Sequence, residues 1–329
     1  MTRRLSFAAL LAAAGALAAA AGLAGPATAA PGSPQPHPAA TTAAEHQRVV
    51  DYWTPERMRS AKDASVLVAG GRAGDGRVAS GTPTVVPAAQ PVAKGKPGGG
   101  GGETGAVTGA PWTSGGQVVS TTGKVFFSIG SSNYVCSGSA VSSGNESLVL
   151  TAGHCVADNG TYVTNFAFVP AYDDGARPYG TWTARSLVTT DQWRSGEDFD
   201  YDLAFAVTNT LSGATLTDTV GGQGIGFGLP RGTFMHAFGY PAARPYDGSD
   251  LTYCAGTVFD DTYYGSGDLG MTCDMTGGSS GGPWFYEFNG STGTLNSVNS
   301  FGYRGVKDVM WGPYFGAVAQ DLYTSVATS

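Results

Sequence analysis

Downstream of Gly123 the chain is a series of short apolar runs set between polar turn residues. Lys124–Ile129, Tyr134–Val141, Leu148–Thr151, Tyr162–Val169, Asp202–Val207, Phe234–Tyr240, Leu251–Phe259, Trp284–Phe288 and Leu295–Tyr303 are rich in β-branched or aromatic residues, and Gly, Asn, Ser and Asp separate them. That is the pattern of an antiparallel all-β domain. One run differs. Leu203-Ala204-Phe205-Ala206-Val207 shows no polar alternation, as a strand buried on both faces would. Helical spacing appears near the C-terminus, where Val318, Leu322 and Val326 recur every four residues within Ala317–Thr328. By itself the strand pattern fits two small barrels or a sandwich equally well.

Upstream the pattern changes. Arg3 and Arg4 precede an apolar stretch rich in Ala, Leu and Gly, Leu5–Gly25, and then Pro26-Ala27-Thr28-Ala29. A positive start, an apolar middle and a small-residue site predict a signal peptide over residues 1–29, cut after Ala29, and with it a secreted, extracellular protein. Residues 30–110 contain no cysteine, are rich in Ala, Pro and Gly, and include Lys96-Pro97 followed by Gly98–Gly102, a flexible tether by composition. Within them Val49, Val50, Trp53, Met58 and Ala61 fall near helical spacing over Glu45–Ala64, with Pro55 placed to start a turn or a second helix. The expectation is a poorly structured propeptide and linker over 30–110, ahead of one domain at 111–329, with a final cut between about Gly98 and Gly123. A disordered leader without a role is the plainer alternative.

Charge follows the same division: residues 1–110 carry a net +4 and residues 111–329 a net −11, giving −7 overall. An acidic domain is not expected to bind nucleic acid, although a basic leader could dock on it.

Two motifs carry candidate chemistry. Thr151–Cys155 reads TAGHC, and Gly277–Pro283 reads GGSSGGP. A serine hydroxyl needs a base within hydrogen-bond reach, and glycines around it let backbone N–H groups approach a developing oxyanion. Gly278–Gly282 also satisfies the G-x-S-x-G pattern of α/β-hydrolases, which place their histidine after the serine. The four histidines here are His37, His46, His154 and His236, all upstream of Ser280, so that reading fails.

TAGHC and GSSGGP, in this order, resemble the histidine and nucleophile motifs of trypsin-like serine proteases of the chymotrypsin fold. From about Gly123 to the end the chain is most similar, within that group, to secreted bacterial glutamyl-endopeptidase-like enzymes. The resemblance implies two packed antiparallel β-barrels followed by a C-terminal helix, and serine endopeptidase activity on protein or peptide substrates. It implies His154 as general base and Ser280, not Ser279, as nucleophile, because two glycines and a proline follow Ser280. The N–H groups of Gly278 and Ser280 would form the oxyanion hole. Asp202, at the mouth of the apolar run, matches the family's carboxylate, with Asp200 as the weaker alternative. Sequential disulfides, Cys136–Cys155 and Cys254–Cys273, would brace the histidine loop and the pocket wall, as in the enzymes it resembles. Each is worth roughly 3 kcal/mol in the chain-entropy model.

Two departures stand out. Ser279 replaces the aspartate of GDSGGP, so activation cannot use an ion pair between that aspartate and a new α-amino group. The strand Leu295–Tyr303 carries Asn296, Ser297, Asn299 and Ser300 but no histidine to read a glutamate, and the wall position is Met275. Asp274, six residues before Ser280, stands where trypsin has its base-binding aspartate, so Asp274, Met275 and Ser300 are the candidate substrate-pocket residues. No Cys-x-x-Cys or His-Glu-x-x-His occurs, so no catalytic metal and no cofactor are expected. Asp173-Asp174 and Asp260-Asp261 lack a calcium-loop pattern and read as surface turns. The protein is expected to be a monomer, partnered by its own propeptide and free of membrane once the signal is cut. The competing readings are an esterase-like hydrolase with the same triad and a catalytically weak binding homologue.

Overall fold

The uninterrupted run Ala204–Thr208 is buried along its whole length because a strand lies on either side of it. In the computed structural model, which describes residues 34–92 and 105–329, it belongs to a closed ring of six antiparallel strands. These are β1 (Thr122–Ile129), β2 (Ser132–Val141), β3 (Leu148–Thr151), β4 (Thr164–Pro170), β5 (Trp182–Thr189) and β6 (Ala204–Thr208). The order runs β4-β1-β2-β3-β6-β5 and closes from β5 back to β4. Closure removes the free edges a β-sheet otherwise exposes. Val125, Phe127, Val149, Phe168 and Phe205 are all buried in its core. The expected signal peptide and the run Gly98–Gly102 lie outside the described residues.

The second half holds β7 (Gly224–Phe227), β8 (Phe234–Gly239), β9 (Thr252–Thr257), β10 (Leu269–Thr272), β11 (Pro283–Tyr286), β12 (Thr294–Val298) and β13 (Val309–Gly312). β12, β11, β8 and β9 pair antiparallel in that order, and β7 joins β12 parallel. β10 and β13 pair in a separate small sheet. An apolar cluster with Met235, Leu269, Met271, Trp284 and Tyr314 packs this sheet against β8 and β9, and the Cys254–Cys273 disulfide ties the two together. The C-terminal helix, Ala317–Val326, buries Leu322 and Val326 in the core shared with the first barrel.

Residues 34–92 are made of short elements laid on both halves. Thr42 caps the helix Ala43–Tyr52 in a reciprocal box with Glu45, and Thr54 caps a second helix that starts at Pro55. Between them Trp53 is 1% exposed and packs on Phe126, with its indole N–H donating to the Asn165 carbonyl at 2.6 Å. Lys62–Asp63 runs parallel to β2 at Tyr134 and Val135, and Thr84–Val86 pairs with β7. Val107–Pro111 pairs with β9 on the far side of the same sheet. Among the described residues no helix is long and apolar enough to cross a membrane.

Candidate active site

β3 ends at Thr151, and the chain turns at once into the short 3-10 turn Gly153–Cys155, which places His154 beside the mouth of β6. The Cys136–Cys155 disulfide anchors that turn to β2. His154 is 1% exposed, and its Nδ1 lies 2.8 Å from Asp202 Oδ2. A carboxylate only accepts, so Nδ1 carries the hydrogen and Nε2 is left as the acceptor. The other carboxylate oxygen, Oδ1, accepts the His154 backbone N–H at 2.8 Å. Ser300 Oγ donates a short hydrogen bond to Oδ2. Asp202 is fully buried with three donors around it, so both the ring and its tautomer are fixed. Gly153 is required here, since a Cβ would collide with Trp193 and Asp202.

Asp200, the alternative carboxylate, lies away from the imidazole. Its oxygens accept from the backbone N–H groups of Gly267, at 2.6 Å, and Gly76, at 3.2 Å. Burial, helped by the nearby Asp198, pushes its pKa up to about 6 against the pull of the Gly267 N–H. Asp268 beside it is driven well above the carboxylate range by burial and then by the Asp200 charge.

Ser280 is 5% exposed and sits in a turn whose backbone is held from several sides. The Gly277 carbonyl accepts from the N–H groups of Ala242, at 2.7 Å, and Ala243, at 3.2 Å. In a trans peptide the C=O and the following N–H point opposite ways, so this clamp turns the Gly278 N–H away from Ala242. Gly278 has φ +95°, and a Cβ there would press on Ala242 at 2.7 Å. The Gly278 carbonyl accepts from Ser137 Oγ at 2.9 Å, and the Ser280 carbonyl from the Ser137 N–H at 2.7 Å. Among the described residues nothing accepts from the Gly278 or Ser280 N–H groups, which leaves both for an oxyanion. Ser279 Oγ donates to the Thr276 carbonyl at 2.8 Å and braces the turn. His154 Nε2 is buried and bonds to no described group.

The arrangement offers a base of fixed tautomer, a hydroxyl and a pair of aligned backbone donors, the parts needed for acyl transfer. The profile of a family described as trypsin-like peptidase domain matches residues 136–292. No curated protein matches the chain. Among solved structures, the protease Anisep from Arthrobacter nicotinovorans is 51% identical, covering 64% of this chain and 97% of its own, with a TM-score of 0.62. The thermostable serine protease AL20 from an extremophilic microorganism is 47% identical, covering 65% of this chain and 99% of its own, also at 0.62. The chain belongs to the trypsin-like serine peptidases. It is a serine endopeptidase by family and fold. A Glu endopeptidase, 20% identical over 67% of this chain and 98% of its own with a TM-score of 0.51, shares the fold.

In this peptidase the candidate pocket residues have other contacts. Asp274 accepts from Tyr246 Oη at 2.6 Å and is pressed by Gly109 of the strand Val107–Pro111. Met275 is buried in the apolar cluster of the second half, and the Ser300 hydroxyl is committed to Asp202. The Asn299 amide donates to the Phe238 and Ser279 carbonyls and its oxygen accepts from Trp284 Nε1, which uses all of its polar atoms. The only close grouping of metal-type ligands among the described residues is Cys136, His154 and Cys155, whose sulfurs form the disulfide.

Ser137 is a residue the motifs did not single out. Its hydroxyl accepts from the Tyr240 N–H while donating to Gly278, so it ties the hole to the Phe238–Tyr240 segment. One such hydrogen bond is worth about 1 kcal/mol. In Ser137→Ala we expect kcat to fall about five- to tenfold with KM nearly unchanged. Steady-state kinetics on a peptide amide will show this; a change confined to KM would mean that Ser137 serves binding instead.

Proposed function

We propose that the chain is a secreted serine endopeptidase that cleaves peptide bonds through an acyl-Ser280 intermediate. The observation that carries this reading is the fixed Asp202–His154 pair beside a serine whose flanking Gly278 and Ser280 N–H groups are unengaged. His154 Nε2 takes the Ser280 proton as Oγ attacks the carbonyl carbon, and the two N–H groups hold the oxyanion. Imidazolium returns the proton to the leaving amine, and water then resolves the acyl-enzyme by the same route.

Residues 1–29 would direct export, and residues 30 to about 106 would be a leader removed on maturation. The structure supports a cut before Val107, because Val107–Pro111 pairs with β9 and the Trp112 N–H donates to the Leu251 carbonyl at 2.7 Å. Asn299 spends all its polar atoms on Phe238, Ser279 and Trp284 and has none left to read a substrate, whereas Asp274 is engaged through Oδ1 alone, by Tyr246.

The test is to incubate the leader-free protein with a mixed peptide library, chromogenic peptide amides and simple esters. The expected result is turnover of amides as well as esters, with an acyl adduct trapped at low pH and mapped to Ser280. Turnover of esters alone would favour the esterase reading.

A further inference from the structure

Lys124 stands on β1 with a side chain that crosses to the other half of the molecule. It is 5% exposed, and its ammonium donates to the Gly248 carbonyl at 3.0 Å. The same nitrogen lies 4.6 Å from the centre of the Tyr172 ring and 5.7 Å from that of Phe126. The charge is thus held by one carbonyl and two aromatic faces in place of water. Burial brings its pKa down to about 8, against the pull of the Asp247 carboxylate.

Gly248 is where this contact meets the oxyanion hole. A Cβ there would stand 2.7 Å from Lys124 Nζ and 3.0 Å from the Ala242 Cβ, so the glycine is packed between the two. Ala242 and Ala243 in turn donate to the Gly277 carbonyl. The Ala243 N–H also donates to the Thr276 hydroxyl at 3.2 Å, and its carbonyl accepts from that hydroxyl at 2.6 Å. Backbone pairing supplies a second path. Lys124 lies opposite Ser137 in the β1–β2 register, and the Ser137 hydroxyl holds the Gly278 carbonyl and the Tyr240 N–H. Both paths end at Gly278, one through each of the peptides that flank its Cα.

The ammonium is the group in this neighbourhood that changes charge at mildly alkaline pH. Hydrogen bonds from Ser249 hold Asp247 below the usual carboxylate range, and burial raises the Tyr172 and Tyr240 hydroxyls above theirs. Around them stand Asp173 and Asp250, which line the cavity beside both rings, and Asp174, Arg59 and Arg177, whose charges reach Tyr172.

We propose that Lys124 is a positioning residue of this protease, whose charged amine fixes Gly248 and through it the Ala242–Gly277 clamp that aims the Gly278 N–H at the oxyanion. Below a pH of about 8 the ammonium is charged and the tether holds. As pH rises through that value the charge is lost, the bond to Gly248 weakens to a neutral one and the hole loosens. The loss falls on kcat, because the hole acts on charge that develops only in the transition state. This rests on the protease reading above.

The full chain is expressed, and kcat and KM of the processed enzyme on a peptide amide are followed from about pH 6 to about pH 10. A base that must be neutral loses activity on the acid side, so a loss on the alkaline side reports another group. The expected profile has an alkaline limb in kcat, a fall of about fivefold, with KM within about twofold. In Lys124→Met, which keeps the bulk of the stem without the charge, kcat at neutral pH should lie about five- to tenfold below the parent. The alkaline limb should be gone, with the near-ultraviolet circular dichroism unchanged. Residues 107–329 contain two lysines, Lys124 and Lys307, so the carbon-13 resonances of lysine Cε read the titration in the unsubstituted enzyme, and Lys307→Met assigns them. The Lys124 midpoint should coincide with that of the kcat limb. A flat alkaline profile in the parent would overturn the proposal. So would a limb that survives in Lys124→Met, which belongs to another group such as the new α-amino terminus, or a Lys124 that titrates at the ordinary lysine value of about 10.4. A processed enzyme that neither turns over peptide nor labels with a fluorophosphonate at any pH would sink the protease reading instead, and so separates the two.

Discussion

Replacing Asp202 with asparagine is expected to lower kcat/KM of the leader-free enzyme about 10⁴-fold while leaving the fold intact. The direction follows from the donors around the carboxylate. Oδ1 faces the His154 backbone N–H, which can only donate, so the asparagine oxygen must take that place. The amide nitrogen then occupies the Oδ2 position, opposite His154 Nδ1 and Ser300 Oγ. The Ser300 hydroxyl can rotate and accept. The imidazole can accept only by moving its hydrogen to Nε2, and a protonated Nε2 cannot take the proton of Ser280. The variant should therefore bind substrate with little change in KM and fail in kcat, with an unaltered near-ultraviolet circular dichroism spectrum. A kcat within tenfold of the parent would show that Asp202 does not set the tautomer.

Ser280→Ala should abolish peptide turnover and fluorophosphonate labelling, a loss of about 10⁴-fold or more. Ser279→Ala, by contrast, removes only the hydrogen bond to the Thr276 carbonyl, worth about 1 kcal/mol, and should keep activity within about tenfold. The pair of variants separates nucleophile from brace within one short turn. Labelling that survives in Ser280→Ala and vanishes in Ser279→Ala would exchange the two roles.

What the sequence made legible was local. Leu148–Thr151 is a strand with the predicted limits, and Pro55 does begin a second helix, because the Thr-Pro pair supplies a cap and a preset φ. Trp182–Thr189 escaped notice because half-buried Arg185 and Ser186 interrupt its apolar pattern. Leu269–Thr272 and Val309–Gly312 are four residues long and each contains a glycine, too little for periodicity to register. In the site, His154, Asp202 and Ser280 stood in motifs, whereas Ser137, Ala242 and Ala243 act through one hydroxyl and two backbone N–H groups that no residue type announces. Ser300 was visible only as a small polar residue, and its hydrogen bond to Asp202 spans 98 positions. The seat of the leader was hidden for the same reason, since a glycine-rich sequence looks like slack wherever it is not seen against Phe199 and Asp200.

The pairing of Thr84–Val86 with β7 has a consequence for the colloidal behaviour of the enzyme. β7 has β12 on one side and the strand Thr84–Val86 on the other, so loss of that strand would leave the backbone groups of β7 on the edge facing it without strand partners. A bare strand border is a template for pairing with any extended chain, including a second copy. The border is only four residues long and holds Gly224 and Gly226, which shortens the template and removes side chains that would add to adhesion. With Thr84–Val86 in place the border is closed.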